Sequence, residues 1–178
     1  MFDALPDWID PARLSARAGE VAGTLPLSRL PRLSGELLDT EGEASARFHF
    51  DRAPGGGDRV RGHVQATLHL RCQRCLERMD HPVDHDFEAR LVADEKVLET
   101  LPDDQDAVWV EERGLSLHGL LEEELLLALP VVALHPEGSP CAEGGHREFA
   151  DGDISRSRRE VDNPFAVLKG LKTDENKP

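Results

Sequence analysis

From Val60 to Leu91 the chain is written almost wholly in period two, and that pattern admits little besides a pair of long antiparallel strands. Val60, Gly62, Val64, Ala66, Leu68 and Leu70 take one phase, while Arg59, Arg61, His63, Gln65, Thr67, His69 and Arg71 take the other. Successive side chains of an extended strand point to opposite faces, so the alternation predicts one buried and one solvated face. Val83, Phe87, Ala89 and Leu91 resume it against Asp84, Asp86, Glu88 and Arg90. Between the two strands stands Cys72-Gln73-Arg74-Cys75, which places a C-x2-C pair at the tip of a β-hairpin.

The remaining elements group around this hairpin. Ala44, Ala46, Phe48 and Phe50 alternate with polar residues and predict a half-buried strand over Glu43 to Asp51, with Leu37 and Leu38 suggesting a partner strand before it. An acidic loop from Asp94 to Asp106 delivers a short strand, Ala107 to Val110. Ser116 can cap a helix in which Leu117, Leu120, Leu121, Leu125, Ala128 and Leu129 recur at helical spacing until Pro130 stops it. Asp10 and Pro11 cap and start a short helix to about Ala18, whereas Val21 to Leu33, with two prolines and no clean period, reads as an apolar connecting arm.

The expected fold class is therefore α+β: an antiparallel β-meander covered on one face by a Leu-rich α-helix, with C-x2-C at a hairpin tip. A chain of 178 residues with 39% hydrophobic content buries one ordinary core. The expected organisation is an N-terminal helix and arm over residues 1–33, one α+β domain over 34–142, a flexible Gly/Ser/Arg/acid-rich linker over 143–162, and a C-terminal docking segment and tail over 163–178. In that last segment Asn163 and Pro164 form a helix start, and Phe165, Leu168 and Leu171 follow at three-residue spacing.

Charge narrows the function classes. The formal net charge of -14 works against a protein that coats nucleic acid with its whole surface. The charge is uneven, however: from Arg52 to Arg78 six arginines stand against two acids, and from Asp86 to Glu124 thirteen acids stand against three bases. The outward Arg/His stripe next to an Asp/Glu stripe has two readings, mutual neutralisation across the strands or contact of the arginine side with RNA or an acidic partner. No apolar run is long enough to cross a bilayer, and Met1 to Asp7 lacks the basic-then-apolar layout of a signal peptide, so a cytoplasmic protein without a membrane role is expected.

Three cysteines in a reducing compartment read as free thiols or metal ligands rather than disulfides. Zinc takes four thiolate or imidazole donors in a tetrahedron, and one tight C-x2-C turn presents two sulfurs to the same ion. Cys72 and Cys75 are the first pair and Cys141 the third ligand, with His135 or His146 as the fourth. Two other readings remain open: reduced thiols in a turn, or a dithiol redox pair, although this pair joins two strands instead of opening a helix. No HExxH, G-x-S-x-G, P-loop or dinucleotide fingerprint is present, and neither an enzyme nor a small-molecule substrate is expected.

The strand into Cys72-Gln73-Arg74-Cys75, the run from Glu122 through Leu129-Pro130-Val131-Val132, the following His135 and Cys141, and Asn163-Pro164-Phe165-Ala166-Val167-Leu168 with Lys172 together resemble the YceD family. That family is named for large ribosomal RNA subunit accumulation. The resemblance implies a bacterial cytoplasmic protein needed for normal levels of large-subunit (23S) ribosomal RNA, and no catalytic mechanism. Some relatives carry a fuller cysteine set after the helix; this sequence keeps only Cys141 there, so a four-cysteine site is ruled out.

The expected function is then a ribosome-biogenesis factor in which Arg61, Arg71, Arg74 and Arg78 contact phosphates of large-subunit ribosomal RNA, or in which the tip meets an assembly protein. Two alternatives stand beside it: an adaptor that binds protein through its acidic surface and Phe165 segment without touching RNA, and a structural zinc-binding protein.

Overall fold

The long ladder expected from the alternation organises the computed structural model, which describes residues 3–54, 56–102 and 104–143. The expected linker from residue 144 onward and the docking segment fall outside the described residues. In chain order the elements are β1 (Trp8–Ile9), α1 (Pro11–Ser15), β2 (Glu20–Pro26), a 3-10 turn (Leu27–Arg29), α2 (Pro31–Ser34), β3 (Glu43–Arg52), β4 (Asp58–Arg71), β5 (Arg78–Val92), α3 (Glu95–Leu98), β6 (Ala107–Trp109), β7 (Leu115–Ser116), α4 (Leu117–Leu127) and α5 (Pro140–Glu143).

The described residues form a five-stranded sheet in the order β2-β3-β4-β5-β6, and β1 pairs separately with β7. β4 and β5 pair antiparallel from Asp58 opposite Leu91 to Arg71 opposite Arg78. The inward phase is as read: Val60, Val64 and Leu68 are fully buried, as are Phe48 and Phe50 of β3. Gly62 interrupts the apolar phase for a reason of packing. It lies opposite Phe48 and Phe87, and a Cβ there would collide with the Phe87 ring, which meets Phe48 edge to face at 6.2 Å.

The sheet is mixed, which corrects the expected all-antiparallel meander. β6 pairs parallel to β5, with Arg90 opposite Ala107 and Val92 opposite Trp109. Residues 93–106 supply the crossover that a parallel neighbour needs, a connection of a dozen or more residues.

A second correction concerns residues 21–33. Instead of a connecting arm they provide edge strand β2, paired with β3 from Glu20 opposite His49 to Pro26 opposite Glu43. Leu25, Leu27, Leu30 and Leu33 are buried in the main core. An edge strand tolerates a proline at its end, because no outer ladder bond is lost. β3 thus takes β2 as its neighbour, and the strand expected at Leu37 and Leu38 does not form; Leu38 donates its amide to the His69 carbonyl instead (2.7 Å). Residues 3–5 close over β2, with Leu5 and Thr24 joined at 3.0 Å, and a side chain at Gly23 would meet the Leu5 backbone at 2.7 Å.

Ser116 caps α4 as expected, its hydroxyl accepting from the Gly119 amide at 3.0 Å. Leu117, Leu120, Leu121 and Leu125 join the strands in one apolar cluster. Two histidines of β5 bind the far end of α4: His81 Nε2 donates to the Ala128 carbonyl at 3.1 Å, and His85 Nε2 lies 3.3 Å from Glu124 Oε2.

Glu122 opens the acidic run of α4, yet it is buried, at 6% exposed. Its Oε1 accepts the first amides of α2, from Arg32 at 2.7 Å and Leu33 at 3.1 Å. A carboxylate at a helix start satisfies donors that have no partner within the helix and favours the positive end of its dipole. Glu122→Ala strands two amides, one of them at the buried Leu33, and lowers unfolding free energy by about 2–3 kcal/mol in urea titrations, whereas Glu122→Gln, which keeps an acceptor, loses less.

Candidate metal centre

The β4–β5 ladder ends at the cysteine tip, and local hydrogen bonds shape it. The Cys72 amide donates to the Glu77 carbonyl and the Leu76 amide to the Cys72 carbonyl, both at 2.9 Å. Leu76 takes a φ of +65°, in the left-handed region that a residue with a Cβ seldom occupies. Beneath the tip Leu70, Cys72, Met79 and Ala133 form a small buried cluster of their own, with Cys75, Leu129 and Cys141 packed against it.

The segment after α4 is joined to this tip by two further bonds. Gln73 donates its amide to the Ala133 carbonyl at 2.8 Å, and His135 Nε2 donates to the Arg78 carbonyl at 3.1 Å. The second bond fixes the proton on Nε2 and leaves the Nδ1 lone pair aimed at the tip, the arrangement of a metal-ligating histidine oriented by an outer partner. His135 Nδ1 lies 3.5 Å from Cys75 Sγ, and Cys72 Sγ lies 3.7 Å from Cys141 Sγ.

All four ligand atoms fall within 4.8 Å of one another. At zinc's ordinary bond lengths a tetrahedron spaces two sulfurs by about 3.8 Å and a sulfur and an imidazole nitrogen by about 3.6 Å. Three cysteines and one histidine in this arrangement fit that ion. His135 brings the fourth ligand atom of the set among the described residues, and its alternative, His146, lies outside them.

The thiols are polarised before any cation is considered. The Cys75 backbone amide, followed by those of His135 and Arg74, holds the Cys72 thiol down to about 5 despite its burial. Burial, and then the neighbouring Cys75 and Cys72 sulfurs, push Cys141 up to about 11. Of the two thiols Cys72 is therefore the readier to give up its proton and Cys141 the one that holds its own. A divalent cation would displace that proton, since cysteine binds metal as the thiolate.

A second cluster, Asp39, Glu41 and His69, also brings its ligand atoms within 4.8 Å. Here a cation is built in. Arg78 lies 2.8 Å from His69 Nε2 and 3.4 Å from Asp39, and His69 Nδ1 is 2.6 Å from Asp39 Oδ1. The His69 hydrogen bond holds the Asp39 carboxyl below its usual range. These residues brace Arg78, whose carbonyl orients His135. No local pattern marks this brace, because Asp39 stands 30 residues from His69 and 39 from Arg78.

The four arginines singled out by sequence have different surroundings. Arg61 Nη2 pairs with Asp51 at 2.6 Å, and Asp51 also accepts from Arg59 Nε at 2.7 Å and Nη2 at 2.9 Å. The Arg59 hydrogen bond lowers the Asp51 carboxyl. Register places Arg61 opposite Glu88, His63 opposite Asp86 and Gln65 opposite Asp84. Along this part of the outer face the basic stripe is matched by carboxylates. Arg78 belongs to the brace. Arg71 and Arg74 are exposed, and neither side chain has a hydrogen-bond or ion-pair partner among the described residues. Asn163, Pro164, Phe165 and Leu168 lie outside the described residues.

Residues 60–172 match the family described as "Large ribosomal RNA subunit accumulation protein YceD". The chain is 30% identical over 169 residues to the Large ribosomal RNA subunit accumulation protein YceD of Haemophilus influenzae, across 94% of this chain and 96% of that relative. No solved structure matches the chain.

Metal content offers a direct check of the centre. Protein purified after expression in zinc-supplemented medium is expected to hold about one equivalent of zinc, and Cys72→Ser, Cys141→Ser and His135→Ala each reduce it severalfold. Zinc-free wild-type protein would rule the centre out.

Proposed function

The chain belongs to the YceD family, and on that premise we propose that it is a non-enzymatic, cytoplasmic ribosome-biogenesis factor supporting accumulation of large-subunit ribosomal RNA. The tip between β4 and β5 is its working surface. Cys72, Cys75, His135 and Cys141 hold zinc, whose chemistry here is structural: a closed tetrahedral set leaves no open position for a substrate. With the ion bound, the segment from Ala133 to Cys141 is clamped to the hairpin, and the orientation of the tip is set by the fold.

The observation that carries this reading is that Arg71 and Arg74, at the tip, are exposed and have no side-chain partner among the described residues, whereas Arg59 and Arg61, at the other end of β4, are matched by carboxylates. Two exposed guanidiniums on a rigid tip can each take a phosphate in a forked hydrogen bond. The family's link to large-subunit ribosomal RNA supplies the phosphate bearer. A carboxylate-matched sheet face then confines contact to the tip, which suits a protein with a net charge of -14.

A second reading, an adaptor that binds an assembly protein and no RNA, is favoured by the same net charge. Crosslinking to RNA separates the two, because only the first places nucleotides against residues 71–78.

Replacing both Arg71 and Arg74 by Glu is expected to lower the large-subunit ribosomal RNA level in a strain that depends on this protein. In vitro it makes the salt dependence of RNA binding shallower by about two in the log-log slope. Wild-type ribosomal RNA levels in that strain, with the variant folded and metal-loaded, would sink the tip as the working surface.

A further inference from the structure

A groove of about 530 Å³ opens between β6 and α4, on the face of the sheet that α4 covers. Its floor is apolar: Ala89, Val108, Leu115 and Leu120 line it, and Trp109 and Leu127 stand at its mouth. Those last two are 51% and 74% exposed, large apolar groups left in water. Among the described residues five carboxylates, Glu88, Asp106, Glu111, Glu123 and Glu124, share the lining with one basic residue, Arg32.

We propose that this groove docks a lysine- or arginine-bearing apolar segment of a partner protein, with its apolar side chains between Trp109 and Leu127 and its cations on the carboxylates. The site is separate from the metal centre, and its occupancy does not depend on RNA contact at the tip.

The charges of the groove are only partly matched. Arg32 pairs with Glu123, Arg59 with Glu88 and Arg113 with Glu111, each at 3.1 Å, and His85 lies 3.3 Å from Glu124. The Asp106 carboxylate has no partner among the described residues. Glu124 titrates above its usual range, chiefly through burial and further through Asp106 and Glu123, while His85 opposes the rise. An incoming cation would relieve that crowding.

Other occupants fit less well. Among the described residues the groups able to gather three ligand atoms around one metal ion are the two near the tip, so the groove's carboxylates are too spread to chelate one. Spread carboxylates instead suit spread cations along a chain. Phosphates of RNA would be repelled, and a second copy of a chain with net charge -14 brings the wrong sign. β6 is an end strand of the sheet, which gives an extended segment a neighbouring edge to follow.

The probe is a fluorescently labelled nine-residue peptide of alternating lysine and leucine, titrated against the full chain at physiological salt and read by anisotropy. Saturable one-to-one binding is expected, weakened about tenfold or more by Asp106→Lys with Glu123→Lys, and likewise by Leu127→Asp. Glu99→Lys with Asp104→Lys makes the same charge change outside the groove and should leave binding within about twofold. Lysine–serine and glutamate–leucine peptides should bind at least tenfold more weakly. Circular dichroism confirms that each variant is folded. Absence of saturable binding, equal binding by either control peptide, or equal loss in the Glu99/Asp104 variant overturns the proposal. Sedimentation showing a dimer that Leu127→Asp dissolves would assign the face to a second copy and overturn it too.

Discussion

The register between β4 and β5 is the constraint on which everything else in this molecule depends. Fourteen consecutive pairs, from Asp58 opposite Leu91 to Arg71 opposite Arg78, hold it. Because side chains alternate, a slip of one residue would turn Val60, Val64 and Leu68 outward and Arg59, Arg61 and His63 into the core. The cost would be the whole apolar face at once. The same register sets carboxylates opposite the basic stripe and brings both ends of the cysteine turn to the end of the ladder.

From that ladder the core is completed on one side only. α4 lays Leu117, Leu120, Leu121 and Leu125 against the strands, and the N-terminal third supplies Leu25, Leu27, Leu30 and Leu33. Glu122 links the two layers, since an acid from α4 caps the start of α2. A buried carboxylate of this kind is stable only because its hydrogen bonds replace water. His81 and His85 hold α4 to β5 from the other side, so the helix position is determined by polar contacts as well as by leucines.

The tip and the groove stand at different places on this scaffold and differ in electrostatic character. At the tip, sulfur and imidazole donors converge on an apolar cluster, and the nearby arginines Arg71 and Arg74 lack partners among the described residues. In the groove, carboxylates surround an apolar floor. The uneven charge along the sequence becomes two surfaces because the hairpin carries its arginines outward, while the crossover after β5 returns acidic residues beside α4. On the outer face Asp51 pairs with Arg61, and His63 lies against Asp84 and Asp86.

Local patterns determined much of this protein by themselves. Period two fixes strands β3, β4 and β5 and their inward faces, Ser116 and the leucine spacing fix α4, and C-x2-C marks a turn able to hold a metal. Those features depend on neighbours a few residues apart, and the chain displays such neighbours directly. Tertiary structure alone decided the rest. Residues 21–33 became an edge strand and part of the core because β3 had a free side, and β6 turned parallel because its connection crosses over. His135 joined Cys75 across 60 residues because the Arg78 carbonyl and the Gln73 amide draw that segment to the tip. Glu122 went inward because α2 needed an acceptor. Each depends on a partner distant in sequence, and no local pattern encodes where a distant partner will lie.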